Sequence, residues 1–574
     1  MCRIVQILFL LHLYAVVIYA KGDLMTREYL FPKRIIELGM ESNGVVDTHF
    51  LLGGYAGQLT TDNNRCCVLN SNNGNGTALL LDFGKEIHGS IEIAAAIRNS
   101  KKPVRVRIRY GESVSEAMSS VCEEATMDNA TNDHAMRDFI INVPWLGTVE
   151  TSNSGFRFVR IDLVDENVVL PIKAVQAVAK YRDIPYIGSF QCNDQRLNDI
   201  WRTGAYTVHL NMQTFLWDGI KRDRLAWLGD MHPEVMVINS VFGNNEVIGK
   251  SLDFGRETTP LPRWMNDMCS YSLWWIITLR DQYLYNGDYA YLEKQREYLM
   301  ALLKQVIDSS NDNKENFRHG TRFIDWPTSD DEQIIHAGLQ ALMIMALDAG
   351  MQLCDWLGEQ TWQKECETHV AKLRTYHPEH NDNKQAAALH VLAGLDDAQY
   401  ISDAIIGKGG AKGFSTFLGY YMLCAMAQGG QYQKAMNIIS DYWGLMLDLG
   451  ATTFWEDLDY SAALGAARID ELVPQDKHDI HAKGGAYCYK GLRHSLCHGW
   501  AAGPTAWLSQ NVLGITPVEP GFRKVRIAPH LGDLKWVKGT FPTPHGVIEV
   551  SHRKTDNGKI ISRIKLPKGV KIVK

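Results

Sequence analysis

Apolar and polar positions follow three successive regimes along this chain of 574 residues. From about Leu24 to Arg182 the period is two. Val104-Arg105-Val106-Arg107-Ile108-Arg109-Tyr110 alternates strictly between apolar and basic residues, and Phe156-Arg157-Phe158-Val159-Arg160-Ile161 behaves similarly. Such alternation marks half-buried strands, because successive side chains leave a strand on opposite faces. The apolar run from Ala78 to Phe83 and the Asn/Gly cluster from Ser71 to Gly76 add a strand and a loop. Residues 24–187 therefore predict an N-terminal β-sandwich domain. Near Ser189 the period lengthens. Ile334, Ile335, Leu339, Leu342, Met343 and Ala346 recur at three and four, as do Phe417, Tyr420, Tyr421, Cys424 and Ala425. Residues 188–514, roughly 325 positions of helices without intervening strands, predict a toroid or superhelix of helix hairpins. No strict repeat of short period is visible, which argues against an ordinary solenoid. After Pro517 the chain returns to strands (Val525-Arg526-Ile527, Gly546 to Val550, Ile560 to Ile564), with Asp556-Asn557-Gly558 as a hairpin turn. Residues 515–574 predict a C-terminal β domain, small enough to need packing against the helical body.

Composition changes this picture in three respects. A formal net charge of −6, with 22% charged residues, provides no basic stripe for nucleic acid. Of the 15 tryptophans, 13 lie between Trp201 and Trp507, which suits a large core and also aromatic platforms for sugar rings. Behind Arg3, the run from Ile4 to Ala20 is broken only by Gln6 and His12, and Ile18-Tyr19-Ala20 precedes Lys21. This pattern predicts a signal peptide over residues 1–20 and a secreted or periplasmic protein that leaves the membrane after cleavage. A retained single-span anchor is the other reading, although the run is short for one. Cys2 falls in that segment, and the ten remaining cysteines contain no C-x-x-C pair. A zinc site is therefore not expected, and free buried thiols are.

Candidate chemistry concentrates in Trp217-Asp-Gly-Ile-Lys-Arg-Asp-Arg-Leu-Ala-Trp-Leu-Gly-Asp230, where three aspartates stand among basic residues and two tryptophans. Asp223 and Asp230 would share a face if the segment were helical throughout, whereas Asp218 would lie about 140° away from Asp223. Gly219 favours a loop there, turning into a helix that presents carboxylates near its start. A capped helix with surface ion pairs fits the same spacing. A second candidate is Thr452-Thr-Phe-Trp455-Glu456-Asp-Leu-Asp459, which places Glu456 directly after two aromatics. Apolar surroundings raise a carboxyl pKa and neighbouring cations lower it, so two carboxyls in contrasting settings supply the acid and base of glycoside hydrolysis. A helix N-terminal acid near the dipole is the plainer reading of Glu456. Three mixed polar-aromatic clusters fall near inter-helix connections: Trp264 to Trp275, Phe323 to Pro327 with Asp325 and Trp326, and Ser495 to Trp500 with His498. Walker A, H-E-x-x-H, G-x-S-x-G and EF-hand patterns are absent from the sequence.

Together the Asp218–Asp230 stretch, Thr452–Asp459 and Ser495–Trp507 resemble the bacterial α-L-rhamnosidases of glycoside hydrolase family 78. The similarity runs from Asp82-Phe83-Gly84-Lys85-Glu86 to the C-terminal β module. The resemblance implies a multidomain fold, an all-α (α/α)6 barrel flanked by N-terminal and C-terminal β-sandwich domains. It implies inverting removal of terminal α-L-rhamnose from an oligosaccharide or glycoside substrate, with no cofactor and no metal. Asp223 matches the family's general acid and Glu456 its general base. Asp218, Asp230 and His498 match groups that hold the sugar. Trp227, Trp264, Trp326, Trp455 and Trp500 are candidate walls, with Asp325 beside them, and Arg222 is placed to orient Asp218 or Asp223. Many members carry Glu where this chain has the shorter Asp223. A barrel hydrolase for unsaturated uronides, which needs a basic pocket, and an inactive carbohydrate-binding protein are the competing readings.

Overall fold

Strict alternation in the first regime becomes a strand, Val104–Gly111, whose Val104, Val106, Ile108 and Tyr110 are buried in one core. Its basic face is neutralised by acids on neighbouring strands and loops: Arg105 meets Asp165, Arg107 meets Asp138, and Arg109 meets Asp162 at 2.8 Å. The structure, a computed structural model, describes residues 25–72, 76–121, 137–483 and 491–573. The expected signal segment, part of the Ser71–Gly76 loop, Cys122 and Cys488 lie outside the described residues. The eight described cysteines are free thiols, seven of them buried.

Among the described residues, ten strands of the N-terminal region form one antiparallel network. Its longest member, Ala78–Ala95, pairs with Ser154–Leu163 along both halves, and its register shifts between Asp82 and Ile87. That irregularity bends the strand, so one sheet can wrap a core of Leu, Ile, Val and Phe. The strand Ser154–Leu163 is buried on both faces, one against this core and one toward the helical domain. Arg157 shows the second contact, donating to Gly450 O at 2.8 Å.

Among the described residues, twelve of the helices build the barrel as six hairpins. In chain order they are α1 Gln195–Asn211, α2 Met231–Val241, α3 Glu246–Thr258, α4 Cys269–Asn286, α5 Tyr289–Asp308, α6 Glu332–Leu357, α7 Gln360–Leu373, α8 Lys384–Leu392, α9 Ala398–Ile401, α10 Gly419–Gln428, α11 Tyr432–Asp448 and α12 Gly503–Trp507. The even-numbered helices touch in sequence, α2 to α4, α6, α8, α10 and α12, and α12 returns to α2. This closed inner ring is the (α/α)6 barrel. Its members are apolar around most of their circumference, as helices buried on all sides must be. In α2 all eleven residues are buried. Helix α6 is long and apolar enough to cross a membrane, yet 78% of its most apolar window is buried inside the barrel.

The C-terminal region contributes a four-stranded and a three-stranded sheet. The hairpin between Gly546–Lys554 and Ile560–Lys565 turns through Asp556-Asn557-Gly558, with Gly558 at positive φ. One boundary differs from the sequence pattern. Ser189–Cys192, before the first barrel helix, pairs with Trp536–Thr543 and so completes the C-terminal sheet.

Candidate active site

The side chains with chemical capacity gather where the inner helices begin. Asp230 immediately precedes α2, Met268 and Tyr271 open α4, Trp326 stands six residues before α6, His498 and Trp500 lie just before α12, and Glu456 joins them from the chain that follows α11. Helix N-termini carry unpaired N–H groups and a partial positive charge, so this end of the barrel tolerates a concentration of carboxylates. Asp218, Arg222, Asp223, Trp227, Asp230, Met268, Tyr271, Trp326, Glu456, His498 and Trp500 line a cavity of about 110 Å³. That is well below the roughly 300–1,000 Å³ of drug-sized sites, and suits one sugar ring. Larger clefts of about 570, 680 and 750 Å³ exist elsewhere, but none contains a buried carboxylate.

Residues 213–229 form an irregular loop, and helix begins only at Met231, so Asp218 and Asp223 reach the cavity from turns. Asp218 organises that loop, accepting from Asp223 N at 2.9 Å and Leu225 N at 3.0 Å. Gly219 is required by the same turn, since a Cβ there would stand 2.5 Å from Arg222 O. Burial, then the neighbouring Asp223, pushes the Asp218 carboxyl up to about 7. Asp230 accepts from Tyr271 OH at 2.9 Å. Burial and the nearby Asp218 hold its carboxyl well above the usual range.

Glu456 is also on irregular chain, not at a helix start. Its carboxylate accepts from Arg222 Nη2 and from Ser495 N at 3.1 Å. Its backbone is fixed by Ser495, Thr416 and Trp500, whose Nε1 donates to Glu456 O at 2.8 Å. Burial raises the Glu456 pKa and Arg222 opposes it. The guanidinium also lies 3.5 Å from Asp223 Oδ1, so Arg222 stands between Asp223 and Glu456. His498 Nε2 is 3.8 Å from Asp218, 3.9 Å from Asp230 and 3.9 Å from Glu456. Burial pushes this imidazole well below its ordinary pKa, giving a neutral ring among carboxyl groups. Four carboxyls, one neutral imidazole and walls of Trp227, Trp326, Trp500 and Tyr271 can hold a ring of hydroxyls and move protons across it.

Three residues expected beside the sugar are not part of the cavity lining. Trp264 packs edge-on against Phe317 at 5.3 Å and borders a separate cleft. Trp455 is 1% exposed within the barrel core, as side chains alternate along the chain and Glu456 takes the inward direction. Asp325 accepts from Trp326 N, Gln385 and Ser415 at 2.7–2.8 Å, so it positions Trp326 from behind. Met268 and Tyr271 complete the cavity lining. Tyr271 lay inside the Trp264–Trp275 cluster, whereas an isolated Met carries no comparable signal.

The N-terminal domain supports the loop that carries Asp218 and Asp223. Gly155 packs against it, where a Cβ would meet Lys221 N at 2.7 Å. Lys221, 1% exposed, points away from the cavity and lies 3.0 Å from Glu112 and 3.2 Å from Glu116. It also donates to Leu492 O and His494 O at 3.0 and 2.7 Å, and Glu112 accepts from Leu496 N at 2.6 Å. Adjacent Lys221 and Arg222 thus divide, one anchoring the loop to the N-terminal domain and the other facing Glu456. Lys221→Met leaves the buried Glu112 without its cation, whereas Glu116 keeps Arg137 at 3.6 Å, and chemical denaturation should report a loss of about 3–5 kcal/mol. A displaced Arg222 should also lower kcat/KM by on the order of 100-fold. Unchanged values of both would remove Lys221 from this supporting role.

Residues 185–380 match the family model for the bacterial alpha-L-rhamnosidase six-hairpin glycosidase domain, and residues 514–573 that for the bacterial alpha-L-rhamnosidase C-terminal domain. An alpha-L-rhamnosidase of Alteromonas sp. (strain LOR) is 22% identical over 539 residues, covering 84% of this chain and 54% of that protein. The chain therefore spans about half the length of that curated relative. A family 78 rhamnosidase structure from Bacillus sp. GL1 superposes with TM-score 0.73 at 19% identity, over 92% of this chain and 55% of the other. A Klebsiella oxytoca rhamnosidase with rhamnose bound gives 0.65 at 19% identity, over 85% and 96%. The β–α–β architecture is thus shared with family 78 rhamnosidases.

Proposed function

We propose that this chain, which resembles bacterial α-L-rhamnosidases in its helical and C-terminal domains, hydrolyses terminal α-L-rhamnosides with inversion. One observation carries the reading: Asp218, Asp223, Asp230, Glu456 and His498 converge on a cavity the size of one sugar ring. Asp223 donates a proton to the glycosidic oxygen as the C1–O bond breaks. Glu456 removes a proton from the water attacking C1 from the opposite face, and the products are free β-L-rhamnose and the alcohol. Asp223 and Glu456 both contact the Arg222 guanidinium, Asp223 through Nη1 at 3.5 Å and Glu456 through Nη2. Inverting enzymes hold the two carboxyls roughly 6.5–9.5 Å apart for that water. Asp218, Asp230 and His498 hold sugar hydroxyls, and the aromatic walls with Met268 meet the apolar face and the 6-methyl group.

The cavity chemistry disfavours an unsaturated-uronide substrate. Among its lining residues Arg222 is the one cation, and it is engaged with Glu456 and with Arg493 O at 2.6 Å. A uronate carboxylate would face four carboxyl groups. Incubation with an aryl α-L-rhamnoside, followed by proton NMR, should show the β-anomer of rhamnose first. Turnover of an unsaturated uronide in place of any rhamnoside would overturn the assignment, and an α-anomer as first product would overturn inversion. Export completes the proposal, supported by the apolar run from Ile4 to Ala20. The N-terminal sequence of the mature protein tests it.

A base must be ionised, and Glu456 is buried so that its pKa lies above its ordinary value. The kcat/KM profile is therefore expected to fall as pH drops through a point above about 4.3, the ordinary glutamate value. An acidic limb centred at or below that value would exclude Glu456 as the group titrating there.

A further inference from the structure

Two groups of metal-capable side chains lie outside the catalytic cavity among the described residues. Glu112, Glu116 and His481 form the first, and the Lys221 ammonium already occupies the position between its carboxylates. The second is His380, His390 and Asp396, to which no lysine or arginine is paired. His390 lies on α8 and is 1% exposed. Its Nε2 is 3.2 Å from Ala337 O of α6, and a carbonyl can only accept, so Nε2 carries the hydrogen. In the neutral ring Nδ1 is then a bare lone pair, yet it lies 2.9 Å from Asp396 Oδ2. Two lone pairs at that distance repel unless a cation sits with them. A proton on His390 would satisfy this pair alone. His380 brings a third donor, its Nε2 being 3.6 Å from the same carboxylate oxygen.

We propose that His380, His390 and Asp396 form a structural site for a zinc-type divalent cation, with water as fourth ligand. Zinc bonds of about 2.0–2.2 Å in tetrahedral array set neighbouring ligand atoms roughly 3.3–3.5 Å apart. The observed 2.9 and 3.6 Å bracket that value. A backbone carbonyl on the remote nitrogen of a ligating histidine is the usual outer partner, because it fixes the tautomer. Two imidazoles with one carboxylate select zinc-like ions over calcium or magnesium, which prefer oxygen. The Asp396 side chain is 26% exposed and that of His380 16%, so an ion and its water have a route in. The ion would join the loop before α8 to the loop after it, clamping both ends of the helix whose Gln385 holds Asp325. This proposal does not depend on the rhamnosidase reading.

The test uses the full-length protein stripped of metal and titrated with Co2+, then Zn2+. One equivalent of Co2+ should bind with the visible absorption of a four-coordinate ion and be displaced by Zn2+. Zinc at a hundred times its dissociation constant should raise the folded-to-unfolded ratio about 100-fold. His380→Ala and Asp396→Asn, both at partly exposed positions, should each weaken Co2+ binding by at least about ten-fold while circular dichroism is unchanged. Failure of the wild type to bind, or equal binding by both folded variants, would overturn the site and leave a protonated His390 paired with Asp396.

Discussion

Asp223→Asn is expected to lower kcat on an alkyl α-L-rhamnoside by about 10²–10⁴-fold, the usual contribution of a positioned general acid. A nitrophenyl rhamnoside should lose much less, because its leaving group departs with little protonation. KM should move little on either substrate. Asp223 is 4% exposed at the cavity wall, its N–H is held by Asp218, and its carboxyl faces Arg222. Asn keeps the size and the backbone contact but has no proton to give. A thousand-fold fall corresponds to about 4 kcal/mol of transition-state stabilisation. Steady-state kinetics on the two substrates decides the matter: equal losses, or none, would remove Asp223 as the acid.

Glu456→Gln should reduce kcat by a similar 10²–10⁴-fold whatever the leaving group, because activation of water is needed for both substrates. Added azide, a nucleophile needing no deprotonation, should restore turnover and give β-L-rhamnosyl azide. An α-azide would instead report a double displacement. The amide oxygen can still accept from Arg222, so the fold should persist. Glu456→Ala removes that acceptor beneath a buried guanidinium and should cost about 3–5 kcal/mol in denaturant titration. Full activity of Glu456→Gln would sink the base assignment.

The two carboxylates were legible for different reasons. The Trp217–Asp230 stretch is unusual in composition over fourteen positions, so it stands out wherever it folds. Glu456 was marked only by the aromatics before it, and that same signal drew in Trp455, which is outside the cavity lining. Adjacent side chains need not share a direction, and here the glutamate faces the cavity while the tryptophan enters the core. Trp264 and Asp325 show the same limit, since an aromatic-polar cluster near a helix connection identifies a region, not a direction. Glu112 and Glu116 left no mark at all. Their importance comes from Lys221, more than a hundred residues away and in another domain.

The sequence by itself determined the three regimes, the helical character of the middle and the segments rich in carboxylates and aromatics. Those properties are local: side-chain period and composition follow from the geometry of one strand or one helix. Only the tertiary structure decided what stands together. Closure of the ring from α2 to α12 brings Asp223 and Glu456 to either side of one arginine. Docking of the N-terminal sheet turns Lys221 outward and Arg222 inward, and the strand Ser189–Cys192 joins a sheet completed some 350 residues later. Convergence of this kind depends on distances between elements far apart in the chain, which no short-range pattern records.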